Sequence, residues 1–195
     1  LKSAQSYNSN RFLIYGLLRD MGLNVIDLGI VPDDYSKTLA MLSKAGEVAD
    51  VIISSGGVSV GEEDHVKAAA RALGSVNIWK VAMKPGKPFL LGEINGKPLL
   101  GLPGNPVSTF VSFFVFAKPF LKATQGLSEV APNELYGLSS FDFQAGSRRE
   151  YLRARQRSKD GATWIEKYAH QGSSVLSSLR WANCLAIVDG AQQIK

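Results

Sequence analysis

Cysteine is almost absent from this chain of 195 residues, in which Cys184 stands alone. One thiol cannot form an internal disulfide or a cysteine-based metal cluster, so we expect a reducing compartment, the cytoplasm. Cys184 lies in the apolar run CLAIV, which favours a place in the core over a role as nucleophile. Histidine is nearly as scarce, because the chain holds only two. His65 and His170 are too far apart in the sequence to show metal-ligand spacing.

Signatures of nucleic-acid and membrane proteins are missing as well. The net charge is +5, from 22 Lys and Arg against 17 Asp and Glu, and no basic run of five or more occurs. No zinc-finger or RNA-recognition signature is present, so we expect no nucleic-acid partner. The modest positive charge is compatible with a small anionic substrate, because binding such a substrate needs only a few lysines in a cleft. The most apolar segment, STFVSFFVFAKPFL, is interrupted by Lys118 and Pro119, so no membrane-spanning helix is expected.

Helical and strand patterns alternate from residue 1 to about residue 124. Apolar spacing predicts helices over 9–22, 36–49, 64–74 and 107–124, with Ser9 or Asn10 as the first N-cap and Gly22 as a stop. Short apolar runs predict strands at 24–31, 50–55 and 76–82, and a hairpin over 89–103 that turns at Asn95 and Gly96. This alternation predicts an α/β domain with three layers, a parallel sheet covered by helices on both faces.

The pattern changes after Gly126. Short alternating segments separated by turn residues follow, without a long helix, which predicts a small all-β unit, a barrel or sandwich. We therefore divide the chain into an α/β domain, residues 1–125, and a β-barrel-like C-terminal domain, residues 126–195.

Two glycine-rich corners, SSGGVSVGEED (54–64) and GLPGNPVSTF (101–110), each connect a predicted strand to a predicted helix. Glycine lets a ligand approach the backbone, and the first turn of a helix offers unpaired N–H groups to an anion. Asn105 suits the N-cap and Pro106 the first helical position. One such corner is more simply a well-capped connection. Two at neighbouring strand ends favour a binding site there.

Lysines and carboxylates surround these corners. The segment WKVAMKPGKPF holds Lys80, Lys84 and Lys87, and prolines stiffen the backbone after the last two. Rigidly held ammonium groups suit a phosphate or another oxyanion. The alternative is that these are three surface lysines on a loop, without a ligand. Carboxylates beside such lysines are a common way to hold Mg²⁺. The candidates are Asp33, Asp34, Glu62, Glu63 and Asp64, with helix capping as the alternative for Asp34 and Asp64.

Longer motifs carry a resemblance over nearly the whole chain. SSGGVSVGEEDHVK, WKVAMKPGKP, GLPGNPVS and HQGSSVLSSLRWANCLAIV resemble, in the same order, the molybdopterin molybdenumtransferases, the MoeA and gephyrin E-domain family. SNRFLIYGLLRDMGLNVIDLGIVPDD fits the start of that family's molybdopterin-binding domain. The resemblance implies that adenylylated molybdopterin and molybdate are substrates. It also implies that the adenylate is hydrolysed with Mg²⁺, that molybdenum enters the dithiolene, and that AMP leaves.

The resemblance further implies roles for single residues. The acidic and basic positions that match the family's active site are Asp33, Asp64, Lys80 and Lys84, and the expected Mg²⁺ ligands are Asp64 and Glu62. Glu62 stands where the family usually has aspartate, so the reach of that carboxylate differs. The expected substrate-binding residues are Gly56, Gly57, Ser59, Lys87, Pro88, Pro103, Gly104, Asn105, Pro106, Ser108, Arg153 and Ser177. Within that set the molybdate pocket comprises Lys87, Pro88, Ser108, Arg153 and Ser177.

Two further domains precede this region in the family and complete its active-site cleft in a homodimer. The resemblance thus implies that this chain binds ligand and turns over little alone. A molybdopterin adenylyltransferase would be the pathway partner. Three alternatives are open: an adenylyltransferase of the same fold, which lacks a C-terminal β unit; a non-catalytic scaffold or binding module; and a nicotinamide or flavin Rossmann protein, disfavoured because GxGxxG does not follow the first predicted strand.

Overall fold

The computed structural model describes residues 8–58 and 65–195. The helices are α1 (Ser9–Asp20), α2 (Tyr35–Val48), α3 (His65–Leu73), α4 (Pro106–Ser112), a π-helical turn (Phe113–Ala117), α5 (Lys118–Thr124) and α6 (Ser177–Trp181). The first strands are β1 (Ile52–Ser55), β2 (Gly74–Lys80), β3 (Met83–Lys84), β4 (Pro88–Ile94) and β5 (Lys97–Leu102). The later strands are β6 (Leu138–Ser139), β7 (Phe143–Gln144), β8 (Arg149–Lys159), β9 (Ala162–Lys167), β10 (Cys184–Val188) and β11 (Gln193–Ile194).

The first part of the chain has three layers, as predicted. Side chains of β4 and β5 alternate between two cores, because successive strand residues point to opposite faces. On one face Leu90 and Leu99 pack with residues of α2 and α3. On the other face Leu100 and Leu102 pack with α1 and the helix that begins at Pro106. The α/β class is therefore confirmed.

The sheet is mixed, however, and not parallel throughout. Its order is β1-β5-β4-β2, and only the β1–β5 pair is parallel. The hairpin explains the difference. Asn95 and Gly96 have φ of 49° and 78°, and a two-residue turn with both φ positive joins antiparallel strands.

The predicted strand at 24–31 is wrong: the structure assigns no strand to these residues. Local bonds oppose one. The Asp27 carboxylate accepts the backbone N–H of Gly29 at 2.9 Å and the Arg11 guanidinium at 2.8 Å, and the hydrogen bond from Arg11 lowers the pKa of Asp27. Gly29 has φ of 88°, which breaks the extended ladder. Ile26 and Ile30 are left 49% and 63% exposed.

The cap of α1 also lies one position earlier than predicted. The Asn8 side chain accepts the Arg11 N–H at 3.2 Å, so neither Ser9 nor Asn10 is the cap. An N-cap oxygen reaches the amide three residues on, and only Asn8 has that spacing to the first unpaired N–H groups. Gly22 follows the helix with φ of 74°.

The helix from Pro106 to Thr124 is long and apolar enough, by length and composition alone, to cross a membrane. The expectation that Lys118 and Pro119 interrupt the segment is therefore corrected. The π-helical turn lies just before Pro119, and a widened turn accommodates a proline that lacks an N–H. The apolar residues have protein contacts that account for them, since Val107, Phe113 and Leu121 are buried in the cores.

The second part is built on β8, as the β-rich prediction anticipated. Its sheet runs β10-β8-β9-β6, and β11 pairs with β7. The short α6 is the one helix described after residue 126. The strand β3, from the lysine segment of the first part, pairs with β8 in parallel. This pairing joins the two parts of the chain, whose boundary at residue 126 stays a prediction.

Candidate anion-binding site

The two glycine corners lie side by side. They follow β1 and β5, which are parallel neighbours with Ser55 opposite Leu102. The Gly56 N–H donates to the Leu102 carbonyl at 3.0 Å. A Cβ built on Gly104 would lie 3.7 Å from Gly56 Cα. Gly56 and Gly57 have φ of 79° and 66°, so the first corner needs a backbone conformation that glycine adopts most easily.

The second corner is rigid, but its helix start is partly occupied. Pro106 is the first helical residue, as predicted. The Asn105 side chain does not cap the helix; its amide donates to Ser173 Oγ at 3.1 Å. The Val107 N–H belongs to the first helical turn, where unpaired N–H groups were expected, but it donates to the Ser173 carbonyl at 3.0 Å. The loop around Ser173 competes for these groups because it packs onto the corner. The buried carbonyl of Pro103 is also satisfied, by Thr109 Oγ1 at 2.6 Å.

Asn10 is a corner residue that the sequence analysis missed. Its side chain is buried, and its amide donates to the Gly104 carbonyl at 2.7 Å. Its Oδ1 has no hydrogen-bond partner among the described residues. The start of α1 is thus fixed against the second corner. The sequence signal that could have identified Asn10 is a polar side chain at the start of a helix.

Lys80 lies near the first corner. Its ammonium is 4.7 Å from the centre of the Trp79 ring, and the Trp79 indole N–H donates at 3.3 Å to the carbonyl of Val58, the residue after Gly57. The end of β2, where Lys80 pairs with Pro88, is therefore tied to the corner through Trp79.

Lys87 is exposed, and its backbone is fixed on both sides. The Lys87 carbonyl accepts the Val81 N–H at 3.0 Å. The preceding Gly86 is packed so closely on α4 that a Cβ there would lie 2.6 Å from Ser112 Oγ and 3.7 Å from the Ser108 carbonyl. The buried Ser108 is therefore a neighbour of the lysine loop, the segment 80–87 that carries Lys80, Lys84 and Lys87.

Arg153 is the most unusual cation in the described chain. It is 1% exposed, and it donates to Ser178 Oγ at 3.1 Å and to the carbonyls of Gly172 at 3.0 Å and His170 at 3.4 Å. No carboxylate of residues 8–58 or 65–195 forms an ion pair with it. Burial lowers the pKa of the guanidinium, because a charge in a low-dielectric site is disfavoured unless an anion is near.

The structure places Ser178, and not the expected Ser177, against Arg153. Ser177 Oγ lies 3.2 Å from the Tyr168 hydroxyl instead. Both serines belong to the GSSVLSS run, and the sequence carried no signal to choose between them. Gln171 is a second missed residue, since its side chain bonds to both the N–H and the carbonyl of Arg153.

A cavity of about 230 Å³ brings a lysine of the first part together with the arginine of the second. Lys84 lies at its edge, and its ammonium is 3.1 Å from the Glu150 carboxylate. Of the expected site residues that the structure describes, Lys84 and Arg153 line it. The described residues that line the cavity are Lys84, Pro85, Phe143, Glu150, Tyr151, Leu152, Arg153 and Gln171.

The structure does not test the expected Mg²⁺ ligands, Glu62 and Asp64. Asp33 has an exposed carboxylate, 3.7 Å from His65 Nε2. Ser59, Glu62 and Asp64 lie outside the described residues. Within 8–58 and 65–195, no group of three His, Cys, Asp or Glu side chains is placed to hold a metal ion. The magnesium site stays a prediction.

Cys184 begins β10 and is half-buried. Burial raises the pKa of its thiol, which disfavours the nucleophilic thiolate. We expect Cys184 in the folded chain to react with iodoacetamide at pH 8 several times more slowly than after unfolding in guanidinium. Mass spectrometry of timed samples would measure both rates, and equal rates would contradict the buried assignment.

Comparison with known proteins gives consistent results. Residues 1–123 match the family described as a probable molybdopterin binding domain, and residues 138–195 match the MoeA C-terminal region, domain IV. The chain is 36% identical to a molybdopterin molybdenumtransferase of Haemophilus influenzae over 97% of the chain and 48% of that protein. It is 34% identical to the molybdenum cofactor synthesis protein cinnamon of Drosophila melanogaster, over 95% of the chain and 31% of that protein.

A solved structure agrees as well. A molybdopterin biosynthesis MoeA protein of Pyrococcus horikoshii superposes with a TM-score of 0.81 at 26% identity, covering 100% of this chain and 47% of that one. The chain therefore spans about half the length, or less, of these relatives.

Proposed function

The chain belongs to the molybdopterin-binding domain family and carries a MoeA C-terminal region, and on that premise we propose that it forms the ligand-binding part of a molybdopterin molybdenumtransferase. Such an enzyme transfers molybdenum from molybdate into adenylylated molybdopterin and releases AMP. The whole activity is assigned to the longer protein of which this chain matches about half.

One observation carries the proposal most directly: the buried Arg153 has three neutral hydrogen-bond acceptors and no carboxylate partner in the described chain. A buried cation without a counter-ion is unfavourable on its own and becomes favourable when an anion binds. Molybdate is a tetrahedral dianion. A guanidinium and a hydroxyl such as that of Ser178 are donors of the kind that bind an oxyanion.

The other cations suit the anionic groups of molybdopterin and its adenylate. Lys80 and Lys87 are held at two neighbouring strand ends that meet at Pro88, and the glycine corners allow a phosphate to approach the backbone. In this arrangement the lysines orient the ligand and offset its charge, while Arg153 and Ser178 hold the oxyanion to be inserted.

We propose Glu62 and Asp64 as the ligands of Mg²⁺, with the exposed carboxylate of Asp33 as a further acidic group of the active site. When bound, the ion would neutralise phosphate charge during hydrolysis of the adenylate.

The proposal also includes a location, an oligomeric state and a partner. We propose that the protein works in the cytoplasm, that its full-length form is a homodimer, and that an adenylyltransferase supplies its substrate. The single, half-buried thiol supports a reducing compartment. The MoeA C-terminal match favours this function over the adenylyltransferase itself, whose fold lacks that part.

Titration of the chain with adenylylated molybdopterin, with and without Mg²⁺, tests the proposal. We expect binding, and we expect Lys87→Ala to weaken it about tenfold, because a charge-assisted contact contributes about 1.5–3 kcal/mol. Lys97→Ala is the matched control, since Lys97 lies beyond the hairpin turn and pairs with Asp50. Absence of binding by the folded chain, or equal losses in the two variants, would overturn the assignment of the site.

A further inference from the structure

We propose that Glu150 is a positioning residue, whose buried carboxylate holds the ammonium of Lys84 at the cavity that Arg153 lines. The inference rests on the proposed function for the identity of the ligand, but not for the contact itself. Glu150 belongs to the second part of the chain and Lys84 to the first, so the pair links the β unit to the lysine loop.

Contacts within the second part of the chain hold the Glu150 carboxylate in place. Glu150 is 3% exposed. Its Oε1 accepts the Gly146 N–H at 2.9 Å, and its Oε2 lies 3.1 Å from Lys84 Nζ. A buried carboxylate needs such partners, since burial of an unpaired charge is unfavourable. The geometry of the pair is therefore set by Glu150.

Lys84 by contrast has little else to hold its side chain. The side chain is 56% exposed, and a lysine has a flexible four-carbon stem whose ordering costs rotamer entropy. Its backbone is aligned by the pairing of β3 with β8, in which Lys84 lies opposite Glu150. The Met83 carbonyl next to it accepts Arg148 Nη1 at 2.9 Å. The backbone fixes where the stem starts, and Glu150 fixes where the ammonium ends.

The carboxylate also balances the charge of the cavity. Lys84 and Arg153 are both cations that line it, and among residues 8–58 and 65–195 Glu150 is the one carboxylate in the lining. Without Glu150, the half-exposed Lys84 side chain would lose the ion pair that the structure shows for it, and its ammonium would be free to turn into solvent. The pair thus keeps the Lys84 ammonium beside the cavity that Arg153 also lines.

A double-mutant cycle separates positioning from a merely structural tie. The variants are Glu150→Gln, Lys84→Met and the double variant, and the measurement is the dissociation constant for adenylylated molybdopterin. If Glu150 acts through Lys84, we expect each single change to weaken binding about five- to tenfold and the double change to weaken it no further. Independent structural effects would multiply instead, and that outcome would overturn the proposal.

The matched control is Asp189→Asn. The substitution removes the ion-pair partner of Arg149, an exposed residue that lies beside Glu150 on β8. We expect unchanged ligand affinity and an unchanged melting temperature. Glu150→Asp, which keeps the charge and shortens the reach, covers the case in which Glu150→Gln does not fold; we expect it to weaken binding less than Lys84→Met does.

Nitrogen NMR of the lysine ammonium groups tests the contact without any ligand. We expect a slowly exchanging Lys84 signal in the native chain, retained in Asp189→Asn and lost in Glu150→Gln. If that signal is absent from the native chain, the proposal fails whatever the titrations show. If the signal behaves as expected but Lys84→Met binds ligand normally, Glu150 does hold Lys84 and the proposed role of Lys84 in function is the part that fails.

Discussion

Replacing Arg153 with methionine is expected to lower the affinity of the chain for molybdate at least about 100-fold, because two charge-assisted contacts contribute about 1.5–3 kcal/mol each. Arg153 is the buried cation for which no carboxylate partner is found in the described residues. Methionine fills a similar volume without charge, so the loss reports the guanidinium and not an empty space.

The free energy of unfolding should change far less than the affinity. The buried Ser178 hydroxyl loses a donor, which costs about 1–3 kcal/mol for a buried acceptor. The carbonyls of Gly172 and His170 lose one as well, but both residues are exposed, so water can replace the guanidinium there. Removal of a buried, unpaired charge offsets that cost. We therefore expect a net change within about 2 kcal/mol in denaturant unfolding without ligand. Molybdate should raise the melting temperature of the native chain and leave that of the variant unchanged, since only a ligand that binds the native state stabilises it.

Arg155→Met is the matched control. Arg155 lies two residues along the same strand, but it contacts its own partners: it donates to the Trp181 carbonyl and lies 4.7 Å from the centre of the Trp181 ring. Its replacement should cost stability and leave molybdate affinity unchanged. If molybdate still stabilises Arg153→Met, or stabilises neither variant nor the native chain, the oxyanion pocket is not at Arg153.

The parts of this fold that the sequence predicted correctly are those governed by short-range periodicity. The helices α2 and α3 have clear apolar periodicity, and the hairpin has the turn pair Asn95 and Gly96. Such short-range patterns are enough to predict these elements. The strand expected at 24–31 failed for the opposite reason. Its apolar spacing was correct, but Asp27 bonds to the backbone of Gly29, and a side chain that satisfies its own backbone competes with the sheet.

Of the candidate site, the sequence predicted the two glycine-rich corners but not the contacts around them. Glycine and proline spacing indicated both, and the parallel pairing of β1 with β5 places them together. What the sequence could not show were the contacts between distant segments. Ser173 on Val107, Ser178 on Arg153 and Glu150 on Lys84 each join residues more than 20 positions apart, and no periodicity encodes such pairs.

Gly104→Ala is expected to weaken the binding of adenylylated molybdopterin about thirtyfold without loss of stability. A methyl group there would meet only Gly56 Cα, at 3.7 Å, an ordinary contact, and Gly104 is not among the glycines with positive φ. The fold should tolerate it within about 0.5 kcal/mol. The methyl group would, however, enter the space between the two corners, and overpacking of a tight contact costs about 1–3 kcal/mol.

Gly57→Ala is the contrasting variant, because it should fail for a different reason. Gly57 has φ of 66°, and a Cβ there would lie 2.7 Å from Val66 Cγ2. The left-handed backbone costs a non-glycine residue about 1–2 kcal/mol before any clash is counted, so its melting temperature should fall. Titration and thermal unfolding of both variants separate the two effects. A Gly104→Ala chain that keeps native stability and native affinity would show that no anionic group of the ligand approaches the backbone at the corners.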